Sequence, residues 1–137
     1  MVKLEDHRRQ LVGIEPYRRT VAQLRIDPPV SNDLPLVLDI RGRFYFKPES
    51  GRLLGSPADE TPVDPHDVQP EEIDVALGAD LIQKATTMKI SHVERKWAGL
   101  RSFVADKTPV AGVDLDAPGF FWFAGQGGYG IMTSPAM

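Results

Sequence analysis

Apolar and polar residues alternate along much of the chain, and this alternation predicts several short strands. Residues 20–26 are rich in β-formers and are followed by Pro28 and Pro29, so a strand is expected there. A second strand is expected at 36–40, where the sequence reads LVLDI. Three further strand-like runs are found at 89–103, 109–113 and 119–125.

The segment RGRFYFKPESGRLLGS, residues 41–56, is the clearest hairpin in the sequence. Because successive side chains of a strand point to opposite faces, the two phenylalanines of FYF are expected on one face and Tyr45 on the other. Pro48 suits the second position of the turn, and Gly51 can adopt the left-handed conformation that closes it.

One segment repeats apolar residues at the spacing of a helix. Pro70 fits the first turn, where its missing N–H costs nothing, and Lys84 favours the negative end of the helix dipole. The predicted buried stripe consists of Ile73, Leu77, Leu81 and Ala85. The first dozen residues are also expected to be helical, and the tail GYGIMTSPAM is expected to start a helix.

The order of these elements, strands then one helix then strands, indicates the fold class. It is typical of an α+β domain with a mixed, mostly antiparallel sheet and a flanking helix. It does not fit an alternating βαβα chain.

Composition narrows the possible functions. The chain has 137 residues, 42% of them hydrophobic, which is enough for the core of one domain. The net charge of −3 argues against nucleic acid as a partner. There is no cysteine, and the three histidines are far apart, so no metal site is predicted. No signal peptide or membrane-spanning run is visible, and a cytoplasmic protein is expected.

Charge is unevenly distributed. The first 26 residues carry six lysines and arginines, whereas residues 57–80 carry eight carboxylates and no basic residue. Each block is expected to form a solvated face. The acidic block has the alternative of attracting a cationic ligand or a basic partner.

The end of the sequence contains a glycine pattern with the spacing G-x-G-x-x-G, from Gly125 to Gly130. That spacing is found in dinucleotide-binding turns, but such a turn also needs a full helix and a return strand after it. The literal motif is therefore absent. A glycine-rich turn after a strand still allows close approach of the backbone to a ligand. The alternative is a strand-to-helix turn that binds nothing.

Three further positions are candidate binding residues. Arg101 lies in the apolar run WAGLRSF, where an arginine is often a carboxylate anchor, although a surface arginine at a strand end is the alternative. Tyr45 is either a pocket residue or an ordinary half-buried strand tyrosine. Arg18 stands beside Arg19, and one of such a pair usually faces solvent.

Four segments taken together carry a family resemblance: FYFKPESGRLLGSPADETPV, DVQPEEID, WAGLRSFVADKTPVAGVD and GFFWFAGQGGYGIMTSPAM. In this order and spacing they resemble the C-terminal part of FAD-dependent amino-acid oxidoreductases of the D-amino-acid oxidase/glycine oxidase superfamily. Within that superfamily they are most similar to D-amino-acid dehydrogenases, with D-arginine dehydrogenase foremost. The resemblance implies a substrate-binding domain at 1–118. It also implies, at 119–137, a truncated returning strand and glycine-rich loop of the FAD site, without the N-terminal Rossmann domain.

The resemblance also implies roles for individual substrate-binding residues. Arg101 matches the arginine that binds the substrate carboxylate, and Tyr45 matches a tyrosine whose hydroxyl lines the same pocket. Arg18 matches another pocket-lining arginine. The backbone carbonyl of Gly128 matches a contact to the substrate's amino group.

For the cofactor, the resemblance implies that the main chain of one loop lies over the flavin ring of FAD. That loop consists of Gly127, Gly128, Tyr129, Gly130 and Ile131. Met132 departs from the nearest relatives, which carry glutamine there. No catalytic side chain is implied, because the flavin performs the redox step. This chain alone is expected to be inactive and not to retain FAD.

Two functions remain open at this point. The first is a fragment or subunit of an FAD-dependent enzyme that oxidises an amino acid, expected to be a D-amino acid, to an imino acid. Its partners would be the amino-acid substrate and the missing FAD domain or a second subunit, with contact at the inner face of a membrane left open. The second is a non-catalytic interaction domain that keeps the fold without flavin. In either case an exposed sheet face is expected to promote self-association.

Overall fold

The computed structural model describes residues 12–136. These residues divide into two compact units. The core unit consists of residues 18–61 and 66–99, and the glycine-loop unit of residues 12–17, 62–65 and 100–136. The helix expected over the first dozen residues lies outside the described residues apart from its last position. The functional boundary expected between 118 and 119 falls within the glycine-loop unit and stays a prediction.

Eight strands and two helices make up the described chain. In chain order they are β1 (Glu15–Ile26), β2 (Val37–Leu38), β3 (Tyr45–Glu49), β4 (Arg52–Ser56), β5 (Thr61–Pro62), α1 (Glu72–Ala85), β6 (Ile90–Phe103), β7 (Val110–Val113), β8 (Phe121–Ala124) and α2 (Gly130–Thr133). The six-stranded sheet has the order β2-β3-β4-β1-β5, with β6 also paired to β1. The pairs β1–β4, β2–β3, β3–β4 and β7–β8 are antiparallel. The predicted α+β class with a mostly antiparallel sheet is confirmed.

The second predicted strand is shorter than expected. Only Val37–Leu38 pairs with β3, whereas the sequence predicted a strand over 36–40. The backbone N–H of Asp39 donates to the carbonyl of Phe44, and the N–H of Gly42 donates to the carbonyl of Asp39. The chain therefore already turns at Asp39, and Ile40 lies in that turn.

The predicted hairpin is present as β3 and β4, with Phe46 opposite Gly55. Its two phenylalanines are buried and Tyr45 is half-buried, so the predicted alternation is confirmed. Pro48 was wrongly expected in the turn, because it lies within β3 opposite Leu53. The turn is formed by Ser50, with φ +52°, and Gly51, with φ +74°. A two-residue hairpin turn of this kind needs positive φ at both positions, which the proline ring cannot adopt.

The core unit is built around the hairpin, β1 and α1. Phe46, Leu24, Leu53 and Ile82 are almost completely buried in it. Helix α1 approaches β4 closely at Gly78, where an added Cβ would lie 3.1 Å from Pro57 Cδ. The glycine therefore decides which face of the helix meets the sheet.

That contact overturns the predicted buried stripe of α1. The buried residues are Val75, Gly78 and Ile82. Ile73 is 72% exposed, Leu77 is 47% exposed and Ala85 is exposed, so the prediction is wrong at these three positions. Leu81 is half-buried and packs against the core, as predicted. The helix has apolar residues on two faces, so the i+4 spacing alone did not distinguish them, and the close approach at Gly78 did.

The partners of the acidic block lie within the chain itself. The buried guanidinium of Arg18 is surrounded by carboxylates, with Nη1 donating to Glu71, Nη2 donating to Asp74 at 2.7 Å, and Nε 3.7 Å from Asp59. Arg19 pairs with Glu60 at 3.0 Å. Burial lowers the pKa of Arg18, but the hydrogen bonds and charges of Glu71 and Asp74 outweigh it, and the pKa is raised.

Asp59 also satisfies the backbone of β1. The N–H of Thr20 donates to Oδ1 of Asp59 at 2.7 Å, and the hydroxyl of Thr20 donates to Oδ2 of Asp59 at 2.9 Å. Thr20 is completely buried, so no water can replace these bonds. These two hydrogen bonds attach the loop that contains Asp59 to β1 of the sheet.

We predict that Asp59→Ala lowers the free energy of unfolding by about 3 kcal/mol, because it leaves a buried N–H unsatisfied and removes a charge opposite Arg18. Urea unfolding measures the change. The matched control is Asp80→Ala, which removes only the solvent-exposed ion pair with Lys84 and is expected to cost below about 0.5 kcal/mol. Equal effects of the two substitutions would contradict this account.

A second prediction concerns the hairpin turn. Gly51→Ala is expected to lower the free energy of unfolding by about 1 kcal/mol, because φ is +74° there. Gly99→Ala, in β6, is the control, since an added Cβ meets nothing within 4 Å at either position and Gly99 lacks the positive φ. Urea unfolding should show Gly99→Ala to be neutral or stabilising. A loss at Gly99 as large as that at Gly51 would refute the backbone explanation.

Candidate functional site

The glycine-rich loop follows β8 and is fastened to the end of β6. The N–H of Gly127 donates to the carbonyl of Ser102 at 2.9 Å. Gly125 and Gly127 have φ of +72° and +54°, conformations that glycine adopts without strain. A turn follows, in which the N–H of Tyr129 donates to the carbonyl of Gln126 at 3.0 Å, and α2 begins at Gly130. The loop thus has a defined position against β6.

The side chains on either side of Ser102 pack directly on the loop backbone. A Cβ added to Gly128 would lie 2.5 Å from Nη1 and 2.9 Å from Cζ of Arg101. A Cβ added to Gly127 would lie 2.8 Å from Cδ1 of Phe103. Gly127 is therefore needed for the contact with the Phe103 ring, whereas a side chain at Gly128 would displace the flexible end of Arg101. The guanidinium of Arg101 lies against the main chain of the loop.

Phe103, which packs on the backbone of Gly127, is buried, with 6% of its surface exposed. Its ring meets that of Tyr17 edge to face at 5.6 Å between centroids. The ammonium of Lys107 lies 5.4 Å from the centroid of the same ring. These contacts restrain the end of β6 where it carries Arg101.

Arg101 combines partial burial with the lack of a carboxylate partner. Within the described part of the chain, its guanidinium has neither an ion pair nor a hydrogen bond, although the residue is half-buried. By contrast, Arg18 binds Glu71 and Asp74, and Arg25 and Arg52 share Glu94. A planar cation held against a surface and not neutralised is suited to bind a carboxylate through two parallel hydrogen bonds.

The paired arginines show what such a contact does to a carboxylate. Hydrogen bonding to Arg43 is the largest cause that lowers the pKa of Asp39, to about 2. Hydrogen bonding to Arg52 is the main cause that lowers the pKa of Glu94, with Arg25 adding to it. An arginine fork in this protein thus stabilises the ionised form of a carboxylate, and Arg101 can do the same for a ligand.

Two predicted substrate-binding residues lie in the core unit. Tyr45 is half-buried in β3, opposite Ser56 of β4. Arg18 is buried, and its charge is matched by three carboxylates. The structure therefore brings Arg101 together with the loop at Gly127 and Gly128. The roles of Tyr45 and Arg18 towards a substrate stay predictions.

The outer side of the loop is open. Gly128 and Tyr129 are exposed, and Ile131 and Met132 are 95% and 72% exposed. Large apolar side chains in such a position mark a surface that meets a ligand or another polypeptide. The predicted cofactor loop is accordingly accessible along most of its length.

Sequence reasoning missed two residues of this region. Phe103 looked like an ordinary strand residue, because only the packing shows that its ring restricts Gly127. Gln126 was read only as a spacer within the glycine pattern. Its Nε2 is buried and has no hydrogen-bond partner among the residues that the structure describes. The one sequence signal for Gln126 was its position as a polar residue between two glycines.

Residues 12–136 contain neither a candidate metal site nor a candidate membrane-spanning helix. No group of three or more His, Asp or Glu side chains there is arranged to hold a metal ion. None of the helices in that range is long and apolar enough to cross a membrane.

Solved structures with the same fold are found among amino-acid oxidoreductases. L-proline dehydrogenase from P. horikoshii superposes with a TM-score of 0.72 at 22% identity, over 91% of this chain and 34% of that chain. Glycine oxidase from Geobacillus kaustophilus gives 0.68 at 20% identity, over 91% of this chain and 33% of that chain. Glycine oxidase from Bacillus cereus ATCC 14579 gives 0.67 at 21% identity, over 97% and 36%. The chain thus spans about a third of the length of these proteins.

Sequence comparison identifies the family directly. A family model described as FAD dependent oxidoreductase (DAO) matches residues 3–137, nearly the whole sequence. The solved structures agree with this chain in overall fold, with TM-scores of 0.67 to 0.72. The chain therefore belongs to the DAO family of FAD dependent oxidoreductases.

Proposed function

We propose that this chain is the substrate-domain portion of an FAD-dependent amino-acid dehydrogenase or oxidase. The whole protein would oxidise an amino acid, of the D-configuration, to an imino acid. The observation that carries the proposal is the half-buried guanidinium of Arg101, which lies against the glycine loop without a carboxylate of its own. The structural neighbours, named for proline and glycine, support an amino acid as the substrate.

Arg101 would bind the substrate's α-carboxylate. Its fork offers two parallel N–H donors, which match the two carboxylate oxygens and fix the orientation of the α-carbon. The carbonyl of Gly128 would accept a hydrogen bond from the substrate's amino group, as the family resemblance implies. The α-carboxylate and the amino group of the substrate would thus both be bound, whatever the substrate's side chain is.

The loop fits the flavin that the family uses. Its glycines allow close approach of the backbone, and its outer side is exposed. The main chain from Gly127 to Ile131 would hold the ring. When bound, FAD would accept the hydride that leaves the α-carbon, and water would then hydrolyse the imino acid to a 2-oxo acid and ammonia. The part of this chain is to bind and orient the reactants.

Finer assignments rest on the resemblance to D-arginine dehydrogenase. Tyr45 would add a hydroxyl contact to the substrate carboxylate, and Arg18 would line the pocket. Met132 stands where those relatives carry a glutamine, and it would not make that residue's polar contact. The preference for a cationic side chain would depend on an acidic residue that the resemblance does not place within these 137 residues.

We predict that Arg101→Ala raises KM and lowers kcat/KM by at least ~10²-fold in the FAD-loaded protein. That change corresponds to about 2.7 kcal/mol of lost binding. Arg101→Lys keeps the charge without the fork and should lie in between. The control is Arg95→Ala, an exposed arginine of the same strand, which should leave both constants unchanged. Steady-state kinetics with amino-acid substrates would refute the role if Arg101→Ala behaved like wild type.

A second candidate function, a non-catalytic interaction domain, is favoured by one exposed surface. The antiparallel pair β7–β8 places Val113 opposite Phe121 and Ala111 opposite Phe123. The side chains of Val113, Phe121 and Phe123 are 69%, 58% and 51% exposed. We call Ala111, Val113, Phe121 and Phe123 of the β7–β8 hairpin the hairpin face. Apolar area of this kind normally meets another polypeptide.

We predict that the 137-residue chain self-associates through the hairpin face. The double substitution Phe121→Ser/Phe123→Ser should shift it towards the monomer, because the apolar area that drives association is lost. Sedimentation velocity over a concentration series measures the shift. The control Leu36→Ser/Ile40→Ser removes two exposed apolar residues of the core unit and should leave association unchanged. A wild-type chain that stays monomeric at high concentration would refute the prediction.

A further inference from the structure

The ring of Phe103 lies between the end of β6 and the glycine-rich loop. A Cβ added to Gly127 would collide first with Cε1 of this ring, and it would lie 2.8 Å from Cδ1 and 3.0 Å from Cζ. The same glycine is bonded to the preceding residue of the strand, because its N–H donates to the carbonyl of Ser102 at 2.9 Å. The main chain of the loop is therefore in contact with the ring, whose size determines how closely the loop approaches the strand.

The neighbours of the ring hold it in this position. Only 6% of the surface of Phe103 is exposed, and the ring of Tyr17 meets it edge to face with 5.6 Å between centroids. Lys107 follows a turn in which its N–H donates to the carbonyl of Val104 at 2.9 Å, and its ammonium lies 5.4 Å from the centroid of the Phe103 ring. Another rotamer of Phe103 would break these contacts and displace the loop, so the ring is fixed.

Arg101 meets the same loop from the same strand. It lies two positions before Phe103, and because successive side chains of a strand alternate between its faces, both side chains are on one face of β6. The ring contacts the main chain at Gly127, and the guanidinium lies against the main chain at Gly128. The spacing between the guanidinium and the loop main chain thus depends on the size of the side chain at position 103.

We infer that Phe103 is a positioning residue, which fixes the distance between the guanidinium that binds the substrate carboxylate and the loop main chain that holds the flavin ring. The inference rests on the proposed function. Phe103 is too deeply buried to touch a reactant, so it acts through the backbone of Gly127. A misplacement of about 1 Å between reacting groups can lower a rate about 10²-fold. The size of this side chain should therefore affect the rate of flavin reduction more than the binding of the substrate.

The first test uses the 137-residue chain without flavin and measures urea midpoints of unfolding. Phe103→Leu removes Cε1 and Cζ, so Gly127→Ala should lower the midpoint less in that background than in wild type, because the added methyl no longer meets the full ring. Gly128→Ala is the control, since its added Cβ meets Arg101 and not the ring, and it should shift the midpoint equally in both backgrounds. Equal falls for Gly127→Ala in the two backgrounds would overturn the inference.

The second test uses the complete FAD-loaded protein and follows the reduction of the flavin by a saturating amino-acid substrate in the absence of oxygen. Phe103→Leu should lower this rate about tenfold, because the loop is displaced, and should leave KM nearly unchanged, because the fork of Arg101 is kept. Ile82→Val is the control. It changes a completely buried residue of the core unit, so it should lower the urea midpoint without changing the rate. Stopped-flow absorbance measures the rates.

The outcomes separate this inference from the proposed function. If an amino acid reduces wild type and Phe103→Leu equally fast, or if Ile82→Val slows reduction to the same extent as Phe103→Leu, the inference is wrong and the proposed function stands. If the complete wild-type protein binds no FAD, or if no amino acid reduces its flavin, the proposed function fails and the inference fails with it.

Discussion

The main chain of the glycine-rich loop packs against the end of β6, and the position of the candidate site depends on this contact. A side chain at Gly127 would collide with the buried ring of Phe103, and the guanidinium of Arg101 lies against the main chain of Gly128. The backbone hydrogen bond from Gly127 to Ser102 fixes the register between the loop and β6. The exposed backbone of the loop therefore lies beside a cation that is not neutralised within residues 12–136.

The use of charge differs between the two units. In the core unit, Arg18, Arg19, Arg25, Arg43 and Arg52 each pair with carboxylates of the same chain. The pairs of Arg18 and Arg19 attach the acidic loop and α1 to the sheet, and in all five arginines the positive charge is matched within the chain. In the glycine-loop unit, the half-buried Arg101 has no such partner within residues 12–136. A cation that costs desolvation without a partner is explained most directly by an anionic ligand.

How far the sequence predicted the structure depended on whether the signal was local. The alternation around Tyr45 and the positive φ at Gly51 were predictable, because strand period and turn chemistry act within a few residues. The buried face of α1 was not, since the helix has two apolar faces and a distant contact, Gly78 with Pro57, selects one of them. The partners of Arg18 were likewise hidden, because they lie far away in sequence.

The same distinction between local signals and contacts of distant residues applies to the candidate site. Arg101 and the glycine pattern were each recognisable as candidates, but their contact joins two segments that no spacing rule connects. Phe103 and Gln126 were not recognisable, because their importance lies in packing and in a missing hydrogen bond. The family resemblance supplied the pairing of arginine and loop that local physical reasoning could not supply.

The most direct measurement is a crystal structure of the complete FAD-loaded protein with a non-reactive amino-acid analogue bound. This account predicts that both carboxylate oxygens of the analogue lie about 2.7–2.9 Å from guanidinium nitrogens of Arg101. It also predicts that the main chain of residues 127–131 lies against the flavin ring. A carboxylate bound elsewhere, with Arg101 paired to an acidic side chain of the protein, would contradict it.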